Sequence, residues 1–172
     1  MVDLTAQIGL VCSTGIYSDG IRFFQSLREP AHLAKYTHCV TALDNDRLLE
    51  AMPGGARITR IDTYDRPIVW SQFIYKGDER DSIVKWTEDR EGAPYAWEDI
   101  PLIALALTTG DDTPQWLENK LAADHRYICS ELADAAYKQA GLHLFKNIPP
   151  SAVYPAMIAA LFDDYGWLPT GH

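Results

Sequence analysis

Tyr36-Thr37-His38-Cys39-Val40-Thr41-Ala42-Leu43-Asp44-Asn45-Asp46-Arg47-Leu48-Leu49-Glu50-Ala51-Met52 sets two apolar-rich runs around three short polar residues. The β-branched Thr37, Val40 and Thr41 favour a strand over 36–43, and Asp44-Asn45-Asp46 supplies a turn, so the stretch reads as a β-hairpin. Strand alternation puts His38, Val40 and Ala42 on one face and Thr37, Cys39, Thr41 and Leu43 on the other. With a three-residue loop Val40 faces Glu50 and His38 faces Met52, which makes His38 and Glu50 diagonal neighbours. A two-residue loop would carry Glu50 to the opposite face.

Upstream of the hairpin, residues 6–12 form an apolar run suited to a buried strand, and Ile21, Phe24 and Leu27 mark a helix face over 17–27. Downstream, the Pro53-Gly54-Gly55 turn leads to strand candidates over 56–61 and 67–75, which continue the hairpin as an antiparallel meander. Residues 78–90 read as an exposed amphipathic helix stopped by Gly92-Ala93-Pro94, and 97–107 as a more apolar helix. The loop-like run 108–114 and a short helical piece over 114–121 form an insertion at about 98–124. A helix over 130–140 ends at Gly141, and a last helix covers 152–162. The expected fold is one α+β domain over 1–172, a central antiparallel sheet packed against helices.

Composition narrows the function. The chain has 172 residues, 47% hydrophobic and 23% charged, enough for one full core. A net charge of −9 argues against nucleic acid or an anionic membrane as partner and favours a neutral or cationic partner or a small ligand. The start, Met1-Val2-Asp3-Leu4-Thr5-Ala6-Gln7, lacks the basic-then-apolar pattern of a signal peptide, so the expected location is cytoplasmic. The longest apolar run, 100–107, is too short to span a bilayer. Three cysteines, Cys12, Cys39 and Cys129, do not describe a disulfide framework.

Cys129, in Arg126-Tyr127-Ile128-Cys129-Ser130-Glu131-Leu132, falls where an extended approach turns into a helix. Helix-start N–H groups and the dipole favour thiolate there and can hold an oxyanion. His38 on a rigid strand is a candidate base, and Glu50 a candidate for orienting its ring. Each also has a plain reading: Cys129 as a small core residue, His38 as a hydrogen-bonded strand residue, Glu50 as an edge-strand charge. A zinc site built on His38-Cys39 and His125 with Cys129 is disfavoured. Adjacent strand residues point to opposite faces, and no second Cys-x-x-Cys pair exists. No metal or cofactor is expected.

Three segments also resemble a known family. The hairpin from Tyr36 to Glu50-Ala51, followed by Pro53-Gly54-Gly55-Ala56-Arg57-Ile58, resembles the "SHVAI…viEA.p.GV.i" region of the NlpC-type papain-like fold. Gly92-Ala93-Pro94-Tyr95-Ala96-Trp97 resembles its "GxPYxW" segment, and Cys129-Ser130-Glu131-Leu132 with Ala136-Tyr137 and Gly141 its nucleophile helix. His38 precedes Cys129, the order of the circularly permuted branch, which includes the YiiX-like proteins and the lecithin:retinol acyltransferase group. The resemblance implies Cys129 as nucleophile, His38 as base, Glu50 as third polar residue, and Tyr95 and Ser130 near the substrate or oxyanion. It implies a small peptide-like or amide substrate, cell-wall or lipid-derived. Lipid-like esters are the alternative, favoured if the last helix lines an apolar groove; a non-catalytic protein retaining the fold is a third case.

Overall fold

The structure, a computed structural model, describes residues 3–95 and 127–169. The helix expected over 97–107, the loop at 108–114, the piece at 114–121 and the insertion at 98–124 lie outside the described residues. The rest is α+β. Strands β1 (Ile8–Val11), β2 (His38–Ala42), β3 (Arg47–Met52), β4 (Gly55–Arg60) and β5 (Val69–Trp70) form an antiparallel sheet of order β4-β3-β2-β1-β5. Around it are α1 (Ile16–Gln25), α2 (Ala31–Ala34), α3 (Glu79–Glu88), α4 (Cys129–Gln139) and α5 (Pro155–Asp164). No helix among the described residues is long and apolar enough to cross a membrane.

The hairpin has the register of the three-residue loop, with Val40 opposite Glu50. Asp44 sets it: its Oδ1 accepts from the backbone N–H groups of Asp46 and Arg47 at 2.8 and 2.7 Å, an Asx-type turn that closes on Leu43 N–H to Arg47 O at 2.9 Å. The meander holds through β4 and then breaks. The outer edge of β4 is already taken, because Ala56 N–H donates to Ala93 O and Gly92 N–H to Ala56 O, both at 2.8 Å. The chain therefore crosses back and adds β5 beside β1.

That last strand is also far shorter than the 67–75 run suggested. Beyond Trp70 the buried Gln7 side chain replaces the ladder: its Oε1 accepts from Phe73 N–H at 3.1 Å and Ser71 Oγ at 2.6 Å, and its Nε2 donates to Phe73 O at 3.0 Å. Gly9 lets β5 pass. A Cβ there would lie 2.5 Å from Ile68 Cγ2 and 2.7 Å from Val40 Cγ2, well inside van der Waals contact.

The two faces of the sheet have different covers. One carries the main core, where α4 packs on β2 and β3 and α5 on β1, around Ile8, Leu10, Leu49, Leu132, Ile158 and Phe162. The other holds a small cluster of Val11, Val40 and Leu48 under Ile61, Tyr64, Ile68 and Trp70. Buried Gln25 ties the helices to the sheet: its Nε2 donates to Ala34 O and Tyr36 O at 3.1 and 3.0 Å, and its Oε1 accepts from Ala156 N–H in the first turn of α5. The short α2 and the 3₁₀ turn Ile61–Thr63 were not foreseen from the sequence; neither is long enough to show a periodicity.

Candidate active site

Ile128 is extended (φ −85°, ψ 163°) and Cys129 is the first residue of α4, so the thiol does stand at a helix start. The helix ends as expected, with Gly141 at φ +79° and Leu142 N–H donating to Tyr137 O at 3.0 Å. Cys129 is 4% exposed. The β2–β3 ladder ends at Val40–Glu50, one residue short of Cys39. Ala42 N–H points to β1 and Leu43 N–H to β3, so by alternation the Cys39 N–H points toward β3 where pairing has stopped. The Cys39 thiol and backbone N–H both act to draw the Cys129 titration down.

His38 and Cys39 leave the strand on opposite faces, and both act on the titration of Cys129. Among the described residues, even so, no group of three or more His, Cys, Asp or Glu side chains is arranged to hold a metal ion.

On the far side, His38 Nε2 donates to Glu50 Oε2 at 3.2 Å, and both residues are buried. This leaves Nδ1 as the nitrogen that can take the thiol proton. Glu50 is a hub: Arg57, directly opposite on β4, binds Oε1 from Nε at 2.8 Å, and the Tyr64 hydroxyl donates to Oε2 in a short hydrogen bond. Burial pushes the Glu50 carboxyl up, but the bonds from His38, Tyr64 and Arg57 prevail and hold it at about 2. Burial likewise works against charge on His38, and the Cys129 sulfur followed by Glu50 outweighs it, raising the ring to about 9. The Cys39 thiol, followed against burial by the His38 charge, holds Cys129 well below the ordinary thiol range. Both shifts favour the thiolate–imidazolium form of the pair.

Tyr95 joins them despite its distance in sequence. Gly55 (φ +118°) and Ala56 clamp Gly92 and Ala93, Tyr127 N–H donates to Pro94 O at 3.1 Å, and a parallel bridge pairs Tyr95 with Tyr127, two residues before Cys129. Burial, then Cys129, pushes the Tyr95 hydroxyl up, so it stays a neutral donor. Ser130 is different. Its Oγ donates to Val153 O at 2.7 Å and the residue is fully buried, so its hydroxyl anchors the helix start. What Ser130 offers an oxyanion is its backbone N–H, which, with that of Cys129, has no acceptor within the helix.

A cavity of about 500 Å³ opens over His38, Tyr64 and Tyr95. Its apolar lining includes Ile16, Tyr17 and Ile21 of α1, while Leu161 of the last helix lines a separate cavity with Phe73, Tyr137 and Leu144. Ile16 and Tyr17 stand exposed at its rim.

Two residues of the site escaped the sequence reading. Arg57 was accessible to it: pairing Met52 with Gly55 across the Pro53-Gly54 turn sets Arg57 opposite Glu50, a favourable cross-strand charge pair. Tyr64 had no signal, since it follows an irregular 3₁₀ turn. Tyr64→Phe removes a half-buried donor from the buried Glu50 carboxylate and is expected to lower stability by about 1–3 kcal/mol in urea unfolding; an unchanged midpoint would mean that the short bond contributes nothing.

No protein-family model matches the chain, and no curated protein matches it.

Proposed function

We propose that this chain is a cysteine hydrolase of the circularly permuted NlpC-type papain-like class, cleaving an amide bond in a small peptide-like substrate. One observation carries the reading: Cys129, the first residue of a helix, raises the titration of His38, whose Nε2 is hydrogen-bonded to the buried Glu50 carboxylate. The thiolate attacks the carbonyl carbon, and the helix-start N–H groups of Cys129 and Ser130 receive the oxyanion. His38 then gives its Nδ1 proton to the leaving amine, and a thioester remains on Cys129. Water, losing its proton to His38, attacks the thioester, and Cys129 departs as thiolate. Glu50 favours the imidazolium at each stage.

A second reading, a non-catalytic protein with an inert thiol, is favoured by the 4% exposure of Cys129. A single experiment separates the two. Full-length protein is mixed with activated amides, short peptides, and short- and long-chain p-nitrophenyl esters, quenched in acid, and weighed intact. The hydrolase reading expects an acyl adduct on Cys129 that is absent from Cys129→Ala, followed by release of free acid. Long-chain esters as the sole acyl donors would move the substrate to lipid-like esters. If no probe acylates Cys129 and iodoacetamide labels it no faster than a model thiol at neutral pH, the hydrolase reading fails.

A further inference from the structure

Helix α1 reverses the usual order of a surface helix, apolar side inward and polar side outward. Its one buried residue is the polar Gln25, which reaches Ala34 O, Tyr36 O and Ala156 N–H. Ile16, about two and a half turns back and so on the opposite side, is 83% exposed. Gly20, Phe23 and Leu27 follow it at steps of four, three and four residues, the spacing that sets side chains in one ridge. Phe23 is 61% and Leu27 54% exposed. Along one flank of the ridge run Tyr17, 59% exposed, and Phe24, whose ring meets that of Phe23 edge-on with centres 5.5 Å apart. Along the other flank Asp19 and Arg22 are loosely paired, Nη1 to Oδ1 at 3.5 Å, and both stand out in solvent. A contiguous apolar ridge at the outermost line of a helix marks a contact with a partner.

We propose that the partner is a second copy of this chain, docked through α1 with the two helices antiparallel about a twofold axis level with the Ile21–Arg22 peptide. This axis makes each position of the ridge meet one that suits it. Ile16 lies level with the partner's Leu27, and Phe23 with the partner's Gly20, where the ring finds the room that a missing side chain leaves. A Cβ at Gly20 would meet nothing within 4 Å in its own chain, so the gap is open to the outside. A twofold axis also brings like flanks together. Asp19 therefore faces the partner's Arg22 on one flank and Tyr17 the partner's Phe24 on the other, each contact made twice. A lipid surface has no use for the glycine gap or the acid–base match, and the net charge of −9 opposes an anionic one. So short a ridge belongs with interfaces below about 1,200 Å² in total, so the dimer is weak and concentration-dependent. Ile16 and Tyr17 also line the cavity over His38, so pairing adds the partner's Leu27 and the partner's Phe24 to the rim of the candidate active site.

This contact does not depend on turnover at Cys129 and is read without a substrate. In sedimentation equilibrium the full-length protein is expected to move from 19.3 kDa when dilute toward twice that mass as its concentration is raised. Gly20→Leu separates association from folding. Leucine is a better helix former than glycine and has free space at this position, so the monomer should be at least as stable in urea while the partner's Phe23 is shut out. Association is expected to weaken by about tenfold or more. Phe23→Glu, a change at an exposed position, should do the same. The register is tested by oxidising an equimolar mixture of Ile16→Cys and Leu27→Cys proteins, both carrying Cys12→Ser; the mixed cross-linked dimer should exceed its statistical share. Wild-type protein that stays at 19.3 kDa up to its solubility limit, Gly20→Leu and Phe23→Glu proteins that dimerise as well as wild type, or cross-links that favour like with like would each overturn the proposal. So would a monomer that floats with phosphatidylcholine vesicles and ceases to in Phe23→Glu, the mark of a lipid-facing helix instead.

Discussion

If the chain is the hydrolase proposed above, a His38→Ala protein is expected to lose turnover by roughly 10⁴-fold, the scale set by removing the base from a nucleophile–base–carboxylate triad. The sharper readout needs no substrate. In the wild type the lowered Cys129 and the raised His38 favour an ion pair up to about pH 9. Ultraviolet absorbance of the thiolate should therefore persist well into the acid range. Removing His38 leaves the lowering action of the Cys39 thiol but deletes the neighbouring cation, while burial continues to oppose the anion. The thiolate midpoint should rise by about 1–3 pH units, the usual effect of one close opposite charge. Alkylation rate alone is a poorer measure, because a thiolate of lower pKa is also less nucleophilic and the two effects partly cancel. A midpoint that does not move on His38→Ala would mean that the imidazole is not the partner of this thiol.

Glu50→Ala should be the most destabilising single change at the site, by about 3–5 kcal/mol, since it leaves a buried imidazolium and the Tyr64 hydroxyl without their acceptor. For a domain of this size that is a fall in Tm of about 10 °C. Glu50→Gln keeps an oxygen for Tyr64 and His38, removes the charge and should cost less. The acid limb of the stability curve gives an independent check. A carboxyl held at about 2 against an ordinary 4.5 contributes stability that is complete above pH 4.5 and is lost as pH falls through about 2. The contribution is on the order of 3 kcal/mol. It should vanish in Glu50→Gln, flattening that limb. Wild-type stability in Glu50→Ala, by urea and by calorimetry, would show that the hub is not what holds this face together.

Much of this arrangement was legible because the hairpin is local. Asp44 fixes the loop, the loop fixes the register, and the register sets Glu50 beside His38; every step spans a few residues. The helix start at Cys129 was equally readable from its extended approach and its Gly141 stop. What the sequence concealed depends on nonlocal competition. The meander fails at β5 because Gly92 and Ala93 already occupy the edge of β4, and the 67–75 run shortens because the Gln7 side chain takes the bonds a longer strand would have used.

The Tyr95–Tyr127 bridge has a further consequence, in the statistics of the chain. It holds Tyr95 and Tyr127 side by side, two residues before Cys129, by backbone groups alone, with 31 residues of sequence between them. The entropy of closing a flexible loop grows only logarithmically with its length, by about 0.6 kcal/mol for each doubling. Such a closure makes the span between the tyrosines a cheap place for descendants of this sequence to gain or lose residues, while Cys129, His38 and Glu50 keep their positions. Diversification in such a lineage would then be recorded as length variation between two fixed tyrosines.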